Sequence, residues 1–151
     1  MAGNLDILRT YYYHCLPYQS ENPEPEEKEM FSNAQKFYRK LNRLDSFTVR
    51  LGKLAYRGTD DNGRPIFEQK RVDVMLATDL VMHSTKKLIT HACLLTGDSD
   101  FLPAIHIAQS EGVHITLFYC NQIPPHDELL DIVDARKEID ENIFELIKRD
   151  S

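Results

Sequence analysis

Apolar residues change their period several times along this chain, and each change marks an element. From about Glu26 to Leu44, Met30, Phe31, Ala34, Phe37, Tyr38 and Leu41 recur at helical spacing, while Lys36, Arg39, Lys40 and Arg43 crowd the other face. Phe47, Val49 and Leu51, then Leu54 and Tyr56, alternate as in a strand, with a break expected at Gly52. Asp60-Asp61-Asn62-Gly63 has the chemistry of a turn and predicts a hairpin-like return through Pro65-Ile66-Phe67. A second helix is expected from Asp73 to about Ser84, where Val74, Leu76, Ala77, Leu80 and Val81 are apolar. Leu88 to Thr96 reads as a buried strand, Ser99 to Glu111 as a helix stopped by Gly112, and Val113 to Cys120 as another strand.

The two ends are less regular. Arg9 to Leu16 is rich in aromatic residues, which favours a strand, and Tyr11, Tyr12 and Tyr13 cannot all share one of its faces. Pro17 to Glu27 is a proline-containing acidic loop, and Glu128 to Val133 and Ile139 to Lys148 look helical. Strands alternating with helices through short connections predict an α/β fold around a mainly parallel central sheet. At 151 residues the chain is expected to form a single domain, 1–151.

Composition narrows the class. No apolar run approaches the roughly 20 residues of a membrane span, and no signal-peptide pattern opens the chain, so no membrane partner is expected. Cys15, Cys93 and Cys120 have no metal-ligand spacing. An odd count without a secretory signal points to reduced thiols in the cytoplasm, and all three read as small buried hydrophobes. His83, His91, His106 and His114 are scattered singly, as structural or surface histidines are.

The net charge of −6 opposes general polyanion binding, but its distribution does not. Lys36 to Arg71 holds ten Lys/Arg against four acids, so that segment carries +6 and the remainder −12. Such a segment suits a polyanionic substrate, or else is a solvated helix face and hairpin.

The sharpest chemical signal lies at Leu94-Leu95-Thr96-Gly97-Asp98-Ser99-Asp100-Phe101, where an apolar strand stops and a helix begins. In parallel sheets chemistry gathers beyond the carboxyl ends of the strands. Asp98 and Asp100 stand close enough that their shared ionisation in a shielded site calls for a cation or strong donors, and a hard ion such as Mg²⁺ or Mn²⁺ prefers oxygen ligands. The competing explanation is that Ser99 or Asp98 caps the following helix. Asp73 sits where the helix dipole favours an acid, whereas Asp79 lies mid-helix among apolar neighbours and needs solvent, a partner or a metal.

Lys70-Arg71-Val72-Asp73 with Asp79, followed by Thr96-Gly97-Asp98-Ser99-Asp100-Phe101, resembles the NYN domain family, the LabA-like branch of the PIN-like ribonucleases. The likeness runs from the Tyr11-Tyr12-Tyr13 strand to about Tyr119 and rests on the pairing of the two motifs. The resemblance implies a Rossmann-like α/β/α sandwich and cleavage of RNA phosphodiesters dependent on Mg²⁺ or Mn²⁺. By position, Asp73, Asp98 and Asp100 match the family's acidic metal-site residues, and Asp79 its second helical acid. Lys70, Arg71, Arg50 and Lys53, with the helix face of Lys36 and Arg39, are the expected contacts to the RNA backbone.

The family's opening buried strand, ending in an acid in an Asp-x-x-Asn setting, has no counterpart in Met1–Leu8, where Gly3-Asn4 and Asp6 are poor substitutes. The domain is therefore expected to be N-terminally incomplete relative to the family. Either the chain is a truncated form, or the missing strand comes from a partner chain or a homo-oligomer, or catalysis is lost, and the apolar surface left exposed predicts marginal stability or self-association. Two functions follow: a metal-dependent ribonuclease, or a catalytically impaired RNA-binding or regulatory module of the same fold. A Mg²⁺-dependent phosphatase or glycosyltransferase using the Asp-x-Asp pair gains nothing from Lys70–Asp79.

Overall fold

The computed structural model of the chain describes residues 6–147. The chain divides into two compact units, one ending at Leu76 and the other beginning at Ala77. The fold is α/β and three of its four strand pairings are parallel, as the periodicity predicts. The strands form two three-stranded sheets, one in each unit.

In the first unit β1 (Thr10–Cys15) runs parallel to β2 (Phe47–Thr59), with Thr10 beside Phe47 and Cys15 beside Gly52. From Lys53 onward β2 pairs antiparallel with β3 (Pro65–Lys70) instead. The expected break at Gly52 is thus a change of partner within one continuous strand. A β-carbon at Gly52 would lie 2.5 Å from the Lys70 carbonyl oxygen, 2.7 Å from Val72 Cγ2 and 3.1 Å from Cys15 Sγ. Glycine is there because the end of β1 and the Lys70–Val72 segment both press on it, not because the strand ends.

The tyrosine run divides between the faces of β1 as strand geometry demands. Tyr12 stacks on His14 at 5.8 Å and meets Phe37 and Tyr38 of α1 (Pro25–Leu41) at 6.5 and 6.2 Å. Tyr11 and Tyr13 stack on each other at 5.9 Å on the opposite face. Tyr38 is buried and its hydroxyl donates to the Cys15 carbonyl at 3.1 Å, fastening α1 to the end of β1. Pro25 opens α1 with Glu26 and Glu27 in its first turn, and Arg39 and Lys40 lie in its last, all favourable to the helix dipole. The helix stops at Leu41 rather than Leu44 because Asn42 turns its side chain to the sheet, where Oδ1 accepts from Val49 N at 2.8 Å.

Helix α2 (Val72–Thr85) crosses the unit boundary. In the second unit β4 (His91–Leu95), β5 (His114–Tyr119) and β6 (Ala135–Glu138) form an all-parallel sheet with β5 in the middle. A 3-10 turn (Ser99–Phe101) leads into α3 (Leu102–Ser110), followed after β5 by α4 (Asp127–Ile132) and, after β6, by α5 (Glu141–Ile147). The core is mainly aliphatic: Ile105 and Ala108 of α3, Ile115 and Leu117 of β5 and Leu129 of α4 are wholly buried, with Phe101 and Phe118 beside them in the buried set. Strand β6 has no counterpart in the apolar pattern. Its sequence, Ala-Arg-Lys-Glu, presents three exposed residues on an edge strand, so it carries no alternation to read. Asp140 accepts from Ile143 N at 2.9 Å and starts α5, while Lys148 and the side chains of Leu146 and Ile147 lie outside the described residues.

Two smaller expectations change. Cys15 is buried, but Cys93 is exposed, on the same open face of β4 as His91 and Leu95, and Cys120 is half-buried just after β5. His91 and His114 are not isolated: they are register partners across β4 and β5, with ring centroids 5.3 Å apart.

Candidate functional site

Strand β4 delivers the Thr96–Phe101 segment to the carboxyl end of the parallel sheet. The Thr96 hydroxyl accepts from Asp98 N at 3.2 Å, and Asp98 Oδ1 accepts from Asp100 N at 2.9 Å, so each polar side chain fixes the backbone two residues on. Asp98 is extended, with φ −90° and ψ 124°, and caps the 3-10 turn. Phe101, 3% exposed, anchors that turn in the core while both carboxylates face solvent. The capping role therefore holds for Asp98 and uses one of its oxygens. It leaves the Asp100 carboxylate without a hydrogen bond among the described residues. Gly97 is not sterically required, since a β-carbon there would meet only Pro125 Cα, at 3.8 Å.

Asp73 is exposed in the first turn of α2, directly after Arg71, whose φ of +75° is rare for a residue with a side chain. Its negative charge reaches Cys15, whose thiol is pushed up first by burial, with Asp73 adding to the same effect. Asp79 is buried, 7% exposed, in the middle of α2. Among the described residues no three His, Cys, Asp or Glu side chains are grouped at metal-holding range. The adjacent donors are Asp98 and Asp100, all-oxygen ligands of the kind a hard divalent ion takes. Mg²⁺ in particular is held by one or two carboxylates and keeps several waters.

The expected phosphate contacts differ in availability. Lys53 and Arg71 are exposed, and Lys36 and Arg39 project from α1. Lys70 is half-buried with its ammonium 3.8 Å from Glu68. Arg50 lies over the Tyr11 ring at 5.7 Å, half-buried on the face of the sheet.

Sequence reasoning passed over a cleft of about 420 Å³ at the carboxyl ends of β5 and β6, lined among others by Cys120, Asn121, Glu138, Asp140, Glu141 and Asn142. It shares with Asp98 and Asp100 the carboxyl-end side of the same parallel sheet. Its acids were invisible as a group because β6, which carries Glu138 there, was not recognised as a strand. No helix among the described residues is long and apolar enough to cross a membrane.

Comparison with known proteins places the chain in a family. The chain is 32% identical over 74 residues to the uncharacterized protein y4oD of Sinorhizobium fredii, a match covering 49% of this chain and 30% of that protein, so it spans under a third of that relative's length. A solved structure of a protein of unknown function, VPA0982 from Vibrio parahaemolyticus, aligns over 85% of this chain and 67% of the other at 18% identity and a TM-score of 0.48. The family model described as the NYN domain matches residues 4–137, a span that takes in both motifs and every strand except the last residue of β6. The chain belongs to the NYN domain family.

Proposed function

We propose that this protein is a ribonuclease that hydrolyses RNA phosphodiester bonds with a divalent ion, Mg²⁺ or Mn²⁺, held by Asp98 and Asp100. The observation that carries the reading is the Thr96–Asp100 segment. Two exposed carboxylates, two residues apart, are set by backbone hydrogen bonds beyond the end of a parallel strand. The family supports it, since NYN and other PIN-like nucleases generally use divalent metals. When bound, such an ion would acidify and orient the attacking water and stabilise charge on the phosphate. Asp98 contributes one oxygen to its backbone cap and keeps the other for a ligand, so its orientation does not depend on the ion. Lys53, Lys70 and Arg71 hold the RNA backbone through its phosphates. Asp73, matched by family position, is the third carboxylate to test, and Asp79 the fourth.

The second reading is an RNA-binding or regulatory module without cleavage. It needs the phosphate contacts and not the carboxylates, and Lys53 and Arg71 are exposed whatever Asp98 and Asp100 hold. One experiment separates the two: cleavage of a labelled single-stranded RNA with Mn²⁺, Mg²⁺ or EDTA, for the wild type and Asp98→Asn. The nuclease reading expects metal-dependent cutting, reduced by more than about a hundredfold in Asp98→Asn, since even outer-shell changes cost ten- to a hundredfold. RNA binding without cutting in any metal overturns it in favour of the module.

A further inference from the structure

Two histidines far apart in the sequence open neighbouring strands of the second unit. His91 is the first residue of β4 and His114 the first of β5, and they are register partners in the parallel sheet, so their side chains leave the same face. Their ring centroids are 5.3 Å apart and the ring planes meet at 45°. Both residues are exposed, so no surrounding core presses the two rings together.

Thr90 ties down both of them. Its carbonyl accepts from His114 N at 2.9 Å, and its hydroxyl lies 2.9 Å from His91 Nδ1. With Nδ1 engaged, Nε2 is the ring atom that His91 has left for a ligand, and metal-bound histidines are oriented in this way through their other nitrogen. His114 in turn lies within electrostatic reach of the Asp134 carboxylate, which Ile115 N holds in place at 2.7 Å, so a fixed negative charge stands beside the pair. Two imidazoles bound to one tetrahedral ion through metal–nitrogen bonds of about 2.0–2.1 Å have centroids about 5 Å apart. The separation found here is that of a chelating pair.

We propose that His91 and His114 form a two-nitrogen site for a borderline transition ion of the Zn²⁺, Ni²⁺ or Cu²⁺ class, which clamps the start of edge strand β4 to β5. Imidazole selects such ions, whereas the all-oxygen pair Asp98 and Asp100 suits Mg²⁺ or Mn²⁺. The two sites differ in place as well as in chemistry, since His91 opens β4 and Asp98 follows its far end. No third His, Cys, Asp or Glu joins the pair at metal-holding range among the described residues, so water completes the coordination. The inference does not rest on RNA being the substrate.

The test is titration of the untagged full chain with Zn²⁺ in millimolar Mg²⁺, read by competition with a chromophoric chelator. The variants are His91→Ala, His114→Ala and Thr90→Val. The controls are His106→Ala, an exposed histidine of α3, and a chain carrying both Asp98→Asn and Asp100→Asn. The wild type and both controls should bind one Zn²⁺ per chain. Each histidine variant should weaken that binding by at least about a hundredfold, and Thr90→Val, which keeps the carbonyl and removes the hydroxyl, by about tenfold. Zn²⁺ should also raise the melting temperature of the wild type and the controls, and not that of the histidine variants.

Both histidines are exposed, so their alanine variants should fold, and melting without metal checks this. The proposal is overturned if a folded histidine variant binds Zn²⁺ as tightly as the wild type, or if the wild type takes up no Zn²⁺ at micromolar concentrations. It is equally overturned if Mg²⁺ displaces the ion or if loss of the Asp98 and Asp100 carboxylates abolishes the binding, since either would put the zinc on oxygen ligands.

Discussion

The two units are stabilised in different ways. In the unit beginning at Ala77, Ile105, Ala108, Ile115, Leu117 and Leu129 are wholly buried, and helices lie between the strands of a parallel sheet. In the unit ending at Leu76, Cys15 and Tyr38 are the buried hydrophobic residues among those described, and most of the aromatic residues are half-buried and meet one another in stacked, tilted or edge-on pairs. An aliphatic interior takes its stability from area removed from water and close packing. A layer of half-buried rings takes less from burial and more from ring geometry and polar ties, such as the hydroxyl of Tyr38 on the end of β1. The first arrangement suits a rigid base under the Asp98–Asp100 segment. The second leaves aromatic and cationic side chains exposed.

The largest expected effect probes the aliphatic unit. Ile115→Ala removes a wholly buried side chain from the central strand of its sheet and should cost about 2–5 kcal/mol in denaturant unfolding. Phe37→Leu, in the half-buried ring layer, should cost well under half as much. Equal losses would show that the first unit is packed as tightly as the second and would remove the contrast.

Next in size is the point where the first unit is crowded. Gly52→Ala drives a β-carbon against the Lys70 carbonyl, which is backbone and cannot swing aside, so overpacking should cost roughly 1–3 kcal/mol. Because the strained Arg71 turn that presents Asp73 follows Lys70 directly, RNA cleavage should fall as well. Gly97→Ala is the control: it lies within the acidic motif, has ordinary room for a β-carbon and should change stability by no more than about 0.5 kcal/mol. A tolerated Gly52→Ala would show that the Lys70–Val72 segment yields readily.

These two glycines show how far the sequence could be read. Periodicity located every element whose buried face is apolar, from α1 to β5, because burial imposes the pattern. It missed β6, whose exposed edge residues leave no pattern. It misread Gly52 because a residue excluded by distant backbone looks the same in a sequence as one that ends a strand. The acidic motif was legible because a tight polar turn after an apolar run needs its residues consecutively. The lysine pair Lys53 and Lys70, the histidine pair His91 and His114, and the ring pair Tyr56 and Phe67 were not, because strand register alone brings those residues together.

The smallest effect tests how the second unit ties its edge strand. Asp134, just before β6, accepts from Ile115 N at 2.7 Å and from Gln109 Nε2 at 3.2 Å, while the same Gln109 nitrogen donates to the Ile132 carbonyl at 2.8 Å. The bond from Ile115 chiefly, then that from Gln109, holds the Asp134 carboxyl below its ordinary 3.8, and the nearby His114 acts in the same direction. A carboxyl whose folded value is depressed binds its proton more readily in the unfolded chain. Its contribution is therefore complete above the ordinary value and is lost as pH falls through the folded one. Asp134→Asn should cost about 1 kcal/mol at pH 7, an exposed charge-assisted hydrogen bond being worth little more. The difference from the wild type should persist down to about pH 5 and shrink below about pH 4. A gap that stays constant from pH 7 to pH 2 would mean that shape rather than charge makes the tie. The edge strand would then be held as the core is, by packing, and the two units would differ less than their burial implies.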